Sequence, residues 1–127
     1  MSIKVKVKLY PQKIKALENA HIQALELTME AVLSDIRTSA VVPKDTGELE
    51  RSGFVDVSQL RESIVRIIFD TPYARRMYWH PEYNFRKDKN PNAQGKWMES
   101  YLSGEKKEFI RKTYSTFLKQ CSKGLIK

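Results

Sequence analysis

Asp45-Thr46-Gly47 is the one short stretch of this chain with a catalytic spelling. Two such carboxylates from paired subunits, about 3 Å apart and sharing one proton, form the working pair of an aspartic protease. Those proteases place the triplet after an apolar strand and follow it with a small residue. Here Pro43 and Lys44 precede it and the bulky, acidic Glu48 follows, and a Lys beside a carboxylate favours its ordinary ionised form. The spacing instead fits a helix start, with Asp45 as the N-cap and Glu48 three residues later completing a capping box. The other reactive side chains are few. His21 falls on the apolar stripe of a long helical pattern and reads as a satisfied core histidine. His80 lies between Trp79 and Pro81 with Glu82 near, without the further ligands a metal site needs. Cys121 sits on the apolar face of the last helical pattern and reads as a small filler. As the only cysteine it excludes an internal disulfide framework and a multi-cysteine zinc site. With no Gly-rich phosphate loop and no nucleophile elbow, the expectation is a protein that is not an enzyme and holds no cofactor.

The remaining chemistry is that of recognition. Tyr73-Ala74-Arg75-Arg76-Met77-Tyr78-Trp79-His80, followed by Tyr83, Phe85, Arg86 and Lys87, interleaves aromatic rings with cations. Rings beside guanidinium groups serve single-stranded nucleic-acid binders. They also dominate protein interfaces, where Tyr, Trp and Arg are the usual anchors.

The elements that must hold these residues follow from periodicity. Residues 2–9 alternate, with Ile3, Val5, Val7 and Leu9 on one side and Lys4, Lys6 and Lys8 on the other, which predicts a half-buried edge strand. Pro11 opens a helix at its first turn. Ile14, Leu17, His21, Ala24, Leu25, Val32, Ile36 and Ala40 give it one buried stripe. From Pro11 to Ala40 it would run about 45 Å, longer than the roughly 35 Å diameter of a compact body of this size. One end must therefore break or project.

Beyond a connector at residues 41–47, Phe54, Val55 and Val57 and then Ile64 to Phe69 predict a β-hairpin turning at residues 58–62. Residues 73–80 suit a short helix. Residues 81–95 form a long aperiodic loop. A final amphipathic helix, with Ser103 as its N-cap, runs through Phe109, Ile110, Tyr114, Phe117 and Cys121 towards Gly124. The predicted fold is α+β: a long N-terminal helix and a C-terminal helix packed on a small antiparallel sheet, in a single domain spanning residues 1–127.

The chain has 127 residues with a net charge of +8 and 41% hydrophobic residues. That is enough for one core without staples. No apolar run approaches the ~20 residues of a membrane helix, and no signal segment follows Met1, so a soluble intracellular domain with no membrane contact is expected. The charge is segregated. Residues 1–15 carry five Lys and no acid, residues 16–70 five basic and ten acidic side chains, residues 71–97 six and two, and residues 98–127 seven and three. Such a pattern suits head-to-tail electrostatic pairing as well as nucleic acid.

Two groups of residues carry a family resemblance. His80-Pro81-Glu82-Tyr83-Asn84-Phe85, Asp88-Lys89-Asn90-Pro91-Asn92-Ala93 and Gly95-Lys96-Trp97-Met98-Glu99 resemble the signature of a minor capsid protein family of tailed phages. Val42-Pro43-Lys44-Asp45-Thr46-Gly47-Glu48-Leu49-Glu50-Arg51-Ser52 is similar to the Pro-x-Asp-Thr-Gly-x-Leu-x-x-Ser element of phage neck and tail components, and Tyr73-Ala74 matches another recurrent element of that group. The resemblance covers about residues 30–115. It implies a tail-component-like α+β fold and a non-enzymatic virion protein that joins head and tail as part of a ring. Its partners would be further copies of itself and other neck, connector or tail proteins. It would reside in the virion neck, and in the host cytoplasm before assembly. The alternative is a basic nucleic-acid-binding module or regulator.

In the neck reading, the loop is expected to be an assembly surface with Tyr83, Phe85, Arg86, Lys87 and Lys89 at the interface. The acidic middle of a neighbouring copy would meet its cations. Lys4, Lys6 and Lys8, on one polar face, are the residues expected to give weak, non-specific contact with DNA.

Overall fold

The computed structural model describes residues 2–6, 8, 10–44 and 47–122. Helix α1 runs from Pro11 to Thr38, with Pro11 in the first turn, where its missing N–H leaves no intrahelical bond unmade. At 28 residues it is about 42 Å long. Only its later part is covered. Residues 11–19 are all exposed, and burial begins at Ala20 and continues through Ala24, Thr28, Val32, Leu33 and Ile36. The apolar stripe predicted from Ile14 and Leu17 onward thus starts one and a half turns later, with both of those side chains in solvent. The helix projects without breaking, because no Gly or Pro interrupts it before its end at Thr38.

A tight connector leads to the one-turn helix α2, Glu48–Arg51. Strands β1 (Gly53–Asp56) and β2 (Arg66–Phe69) pair antiparallel, Gly53 opposite Phe69 and Asp56 opposite Arg66. A turn containing a 3-10 segment at Leu60–Glu62 joins them. Helix α3 (Ala74–Trp79), the long loop, and helices α4 (Ser100–Ser103) and α5 (Phe109–Cys121) complete the chain. The architecture is α+β. Both the hairpin and α5 pack along α1.

The core lies around the C-terminal half of α1. Val32 and Ile36 meet Val42, Leu49, Ala74, Trp97 and Tyr101, with Ile67 and Phe69 of the hairpin and Phe109 and Ile110 of α5 against them. Trp97 is its aromatic centre, edge-on to Phe69 at 5.4 Å and to Tyr78 at 4.9 Å between ring centroids. Around this core sits a polar tie. Lys106 donates to Asp35 and to Ser39 Oγ, each at 2.7 Å, and Tyr101 donates to the same Asp35 carboxylate. Burial works to raise the Asp35 pKa, but the bonds from Lys106 and Tyr101 outweigh it and hold the carboxyl below its ordinary value. Burial and the adjacent Asp35 push the Tyr101 phenol well up.

Three local expectations are corrected. The predicted N-terminal strand does not form among the described residues of that segment, because no neighbouring strand offers its backbone a ladder. Ile3 is 90% and Val5 80% exposed. Ser103 is the last residue of α4 and caps nothing, its hydroxyl facing Glu99 Oε1 at 3.4 Å. The chain turns through residues 104–108, with Lys106 held on Asp35, so α5 starts only after Glu108. The capping box does not form either. The residue capping α2 is Gly47, at a left-handed φ of +85°, and Glu48 is the first helical residue, two positions short of where the box needs it. Asp45 and Thr46 lie outside the described residues, as does the expected helix end at Gly124.

Candidate functional site

The long loop is fixed to the connector between α1 and α2 by its own asparagines. Asn90 is buried, and its Nδ2 donates to Val42 O at 2.9 Å and to Glu50 Oε2 at 3.4 Å. Asn92 Nδ2 donates to Ser39 O at 2.9 Å, and the Gln94 N–H to Val41 O at 3.0 Å. At the loop's exit the Lys96 N–H donates to Tyr78 O at 2.8 Å. Its two ends touch, since a Cβ on Gly95 would stand 2.7 Å from Pro81 Cα, so only glycine fits there. Residues 81–95 form a closed loop tied at its neck, of the compact kind that carries function on a rigid scaffold.

The first half of this loop faces an open groove of about 660 Å³, lined by Pro43, Lys44, Gly47, Glu48 and Leu49 on one side and by Tyr73, Met77, Tyr83, Asn84, Phe85 and Arg86 on the other. Its walls are mainly apolar, with ions on both sides. Lys44 Nζ lies 3.2 Å from Glu50 Oε2. Tyr83 stacks on His80 at 4.7 Å and 6° between planes, and Arg76 Nε donates to its hydroxyl at 3.2 Å. His80 Nδ1 is 2.8 Å from Glu82 Oε1, and that contact lowers the Glu82 pKa. Phe85 tilts against Tyr83 at 6.3 Å. Arg86 grips Asp88 with two nitrogens, at 3.1 and 2.7 Å, and holds that carboxyl below its ordinary value.

The proposed interface residues divide by environment. Tyr83 and Phe85 are half-buried, their rings packed into the groove wall, while Arg86, Lys87 and Lys89 are exposed. Of the aromatics flanking the loop, Trp97 belongs to the core, and Trp79 is exposed with Lys96 Nζ 5.7 Å from its ring centroid. Lys4, Lys6 and Lys8 are exposed on the segment before α1, where Lys8 Nζ lies 5.3 Å from the Tyr10 ring centroid.

His21 is half-buried and bonded on both nitrogens, to Tyr114 Oη at 2.5 Å and Ser63 Oγ at 2.9 Å, as expected of a satisfied histidine. Cys121 is half-buried. Among the described residues no three His, Cys, Asp or Glu side chains converge as metal ligands, and no helix is long and apolar enough to cross a membrane.

Sequence reasoning missed Asn90. Its signal was an amide between the exposed Lys89 and Pro91, which local periodicity cannot tell from a solvated turn. The groove was likewise unforeseen, because its two walls come from separate stretches of the sequence, one ending at Leu49 and the other beginning at Tyr73.

Compared with protein-family models, with curated proteins and with solved structures, the chain has no match.

Proposed function

We propose that this chain is a non-enzymatic structural protein of the neck of a tailed phage, joining head and tail as one subunit of a ring. One observation carries the reading. Residues from each of the segments that resemble phage neck and minor capsid proteins, separated in sequence, line one groove: Pro43, Lys44 and Gly47 to Leu49, then Tyr73, and then Tyr83 to Arg86. Asn90, from the middle of the third segment, bonds the first through Val42 and Glu50. An assembly protein needs such a prebuilt surface, because a loop already ordered loses little entropy on docking.

Further copies of the chain and adjacent neck, connector or tail proteins are its partners, with the virion as its final location. Contact with DNA through Lys4, Lys6 and Lys8 is weak, independent of base sequence and steeply reduced by salt. Deleting the gene from the phage or prophage that carries it tests the proposal: filled heads and separate tails accumulate and the cloned gene restores joined particles. Normal virions from the deletion, or sequence-specific DNA binding at physiological salt, would overturn it in favour of a regulator.

A further inference from the structure

We propose that the pocket between α1, the hairpin turn and α5 binds a small organic phosphate, a phosphate monoester carried on an apolar body. The pocket encloses about 460 Å³, within the range of small-ligand sites. Three parts of the chain bring polar groups to it: His21 from α1, Ser63 from the turn, and Lys107, Arg111 and Tyr114 from the start and first half of α5. Leu25 and Ile110 supply an apolar surface beside them. Among the described residues that line it, none is acidic. It shares no lining residue with the groove beside the long loop.

Counting protons shows that the polar cluster has a donor to offer. His21 is bonded on both ring nitrogens, to Tyr114 Oη at 2.5 Å and to Ser63 Oγ at 2.9 Å. With the ring neutral, its single N–H and the two hydroxyls hold three protons for two hydrogen bonds. In one tautomer Tyr114 donates to Nδ1, Nε2–H donates to Ser63, and the Ser63 O–H is left over. In the other, Ser63 donates to Nε2, Nδ1–H donates to Tyr114, and the Tyr114 O–H is left over. Either way one hydroxyl on the pocket wall has a proton that the ring does not take. Thr28 also lines the pocket, but its hydroxyl donates to Ala24 O at 2.7 Å. Ser63 is held in place at a left-handed φ of +63°, where it ends the 3-10 segment with its N–H on Leu60 O at 2.9 Å.

The cations set the charge of the ligand. Arg111 Nη2 lies 3.0 Å from Glu108 Oε2, but the arginine side chain is 82% exposed, and so open a pair holds weakly. A guanidinium has five N–H donors, so one carboxylate contact leaves others for a phosphate. Two cations and a neutral O–H match a dianion with three acceptor oxygens better than a carboxylate of single charge. The apolar surface of Leu25 and Ile110 asks in addition for a ring or short chain on that phosphate.

The test titrates phenyl phosphate into the full chain, with binding followed by calorimetry and its location by NMR shifts. The proposal predicts a Kd of about 1 mM or tighter, with shifts gathered at His21, Ser63, Lys107, Arg111 and Tyr114. Inorganic phosphate should bind about tenfold more weakly, because it leaves the Leu25 and Ile110 surface uncovered. Affinity for phenyl phosphate should fall about tenfold or more in the Lys107→Met, Arg111→Met double variant, with melting unaltered because both side chains are exposed. It should stay within about twofold in Lys112→Met, which removes an exposed lysine of α5 outside the pocket. Four results would overturn the proposal: no binding of phenyl phosphate; inorganic phosphate or benzoate bound as tightly; an equal loss in Lys112→Met, which means diffuse surface charge; or shifts gathered at residues 83–86 instead. None of these bears on whether deleting the gene leaves heads and tails unjoined, so this site and the neck reading fail separately.

Discussion

The two parts of α1 both carry apolar side chains and have opposite surroundings. From Ala20 to Ile36 its stripe is covered by the hairpin, by α5 and by the loop's Trp97, and the polar groups alongside find partners: Asp35 with Lys106 and Tyr101, His21 with Tyr114 and Ser63. From Pro11 to Glu18, and in the described residues before it, apolar side chains recur with equal regularity, yet Ile3, Val5, Ile14 and Leu17 face solvent. Periodicity states which side of an element needs cover. Whether cover exists is decided by what the rest of the chain can bring within reach. The covered half carries the core, and the uncovered half stands in solvent.

That contrast breaks first at Trp97. Trp97→Ala removes the ring on which Phe69 and Tyr78 pack and should cost about 3–5 kcal/mol in denaturant unfolding. Trp97→Phe should cost less than Trp97→Ala, because a ring remains in the cluster and the indole N–H has no hydrogen-bond partner to lose. The next effect is at the loop's anchor. Asn90→Ala leaves Val42 O without its side-chain donor and should cost about 1–3 kcal/mol. Hydrogen exchange should then quicken in residues 81–95 before it does in α5.

A smaller, pH-dependent effect belongs to the Asp35 tie. A carboxyl whose folded pKa is depressed contributes stability above its unfolded value and loses it as pH falls through the folded one. Melting temperature should therefore drop on acidification below the ordinary aspartate range. In Lys106→Met that share of the drop should shrink, since the donor that lowers Asp35 is gone. Partial exposure of both groups keeps the contribution modest.

The parts of the fold legible in the sequence were those fixed by local chemistry. Pro11 marked the helix start, the 54–57 and 64–69 runs marked the hairpin, and Pro72 set the boundary before α3. Helix length against body size foretold that α1 must break or project, and it projects. What escaped depends on pairing at a distance. Residues 2–9 have the alternation of a strand, yet the described ones among them pair with none, and Ser103 has the right side chain for a cap, but Lys106 holds the following turn on Asp35 instead. Gly47 displaced the capping box because a left-handed residue closes that turn without a side chain. Of the site, the aromatic and cationic residues were legible by type. The groove was not, since Leu49 and Phe85 meet only through the tertiary fold.

The central claim, that the groove wall formed by the loop is an assembly surface, is tested most directly at Phe85 and Arg86. The gene carrying Phe85→Ala with Arg86→Glu is returned to a phage lacking it, and joined virions are counted beside the melting of the purified protein. The account predicts melting close to that of the natural chain together with loss of joined particles. Joined particles at the natural level would contradict it, and so would a large loss of stability in the isolated subunit, which would make the loop part of the core.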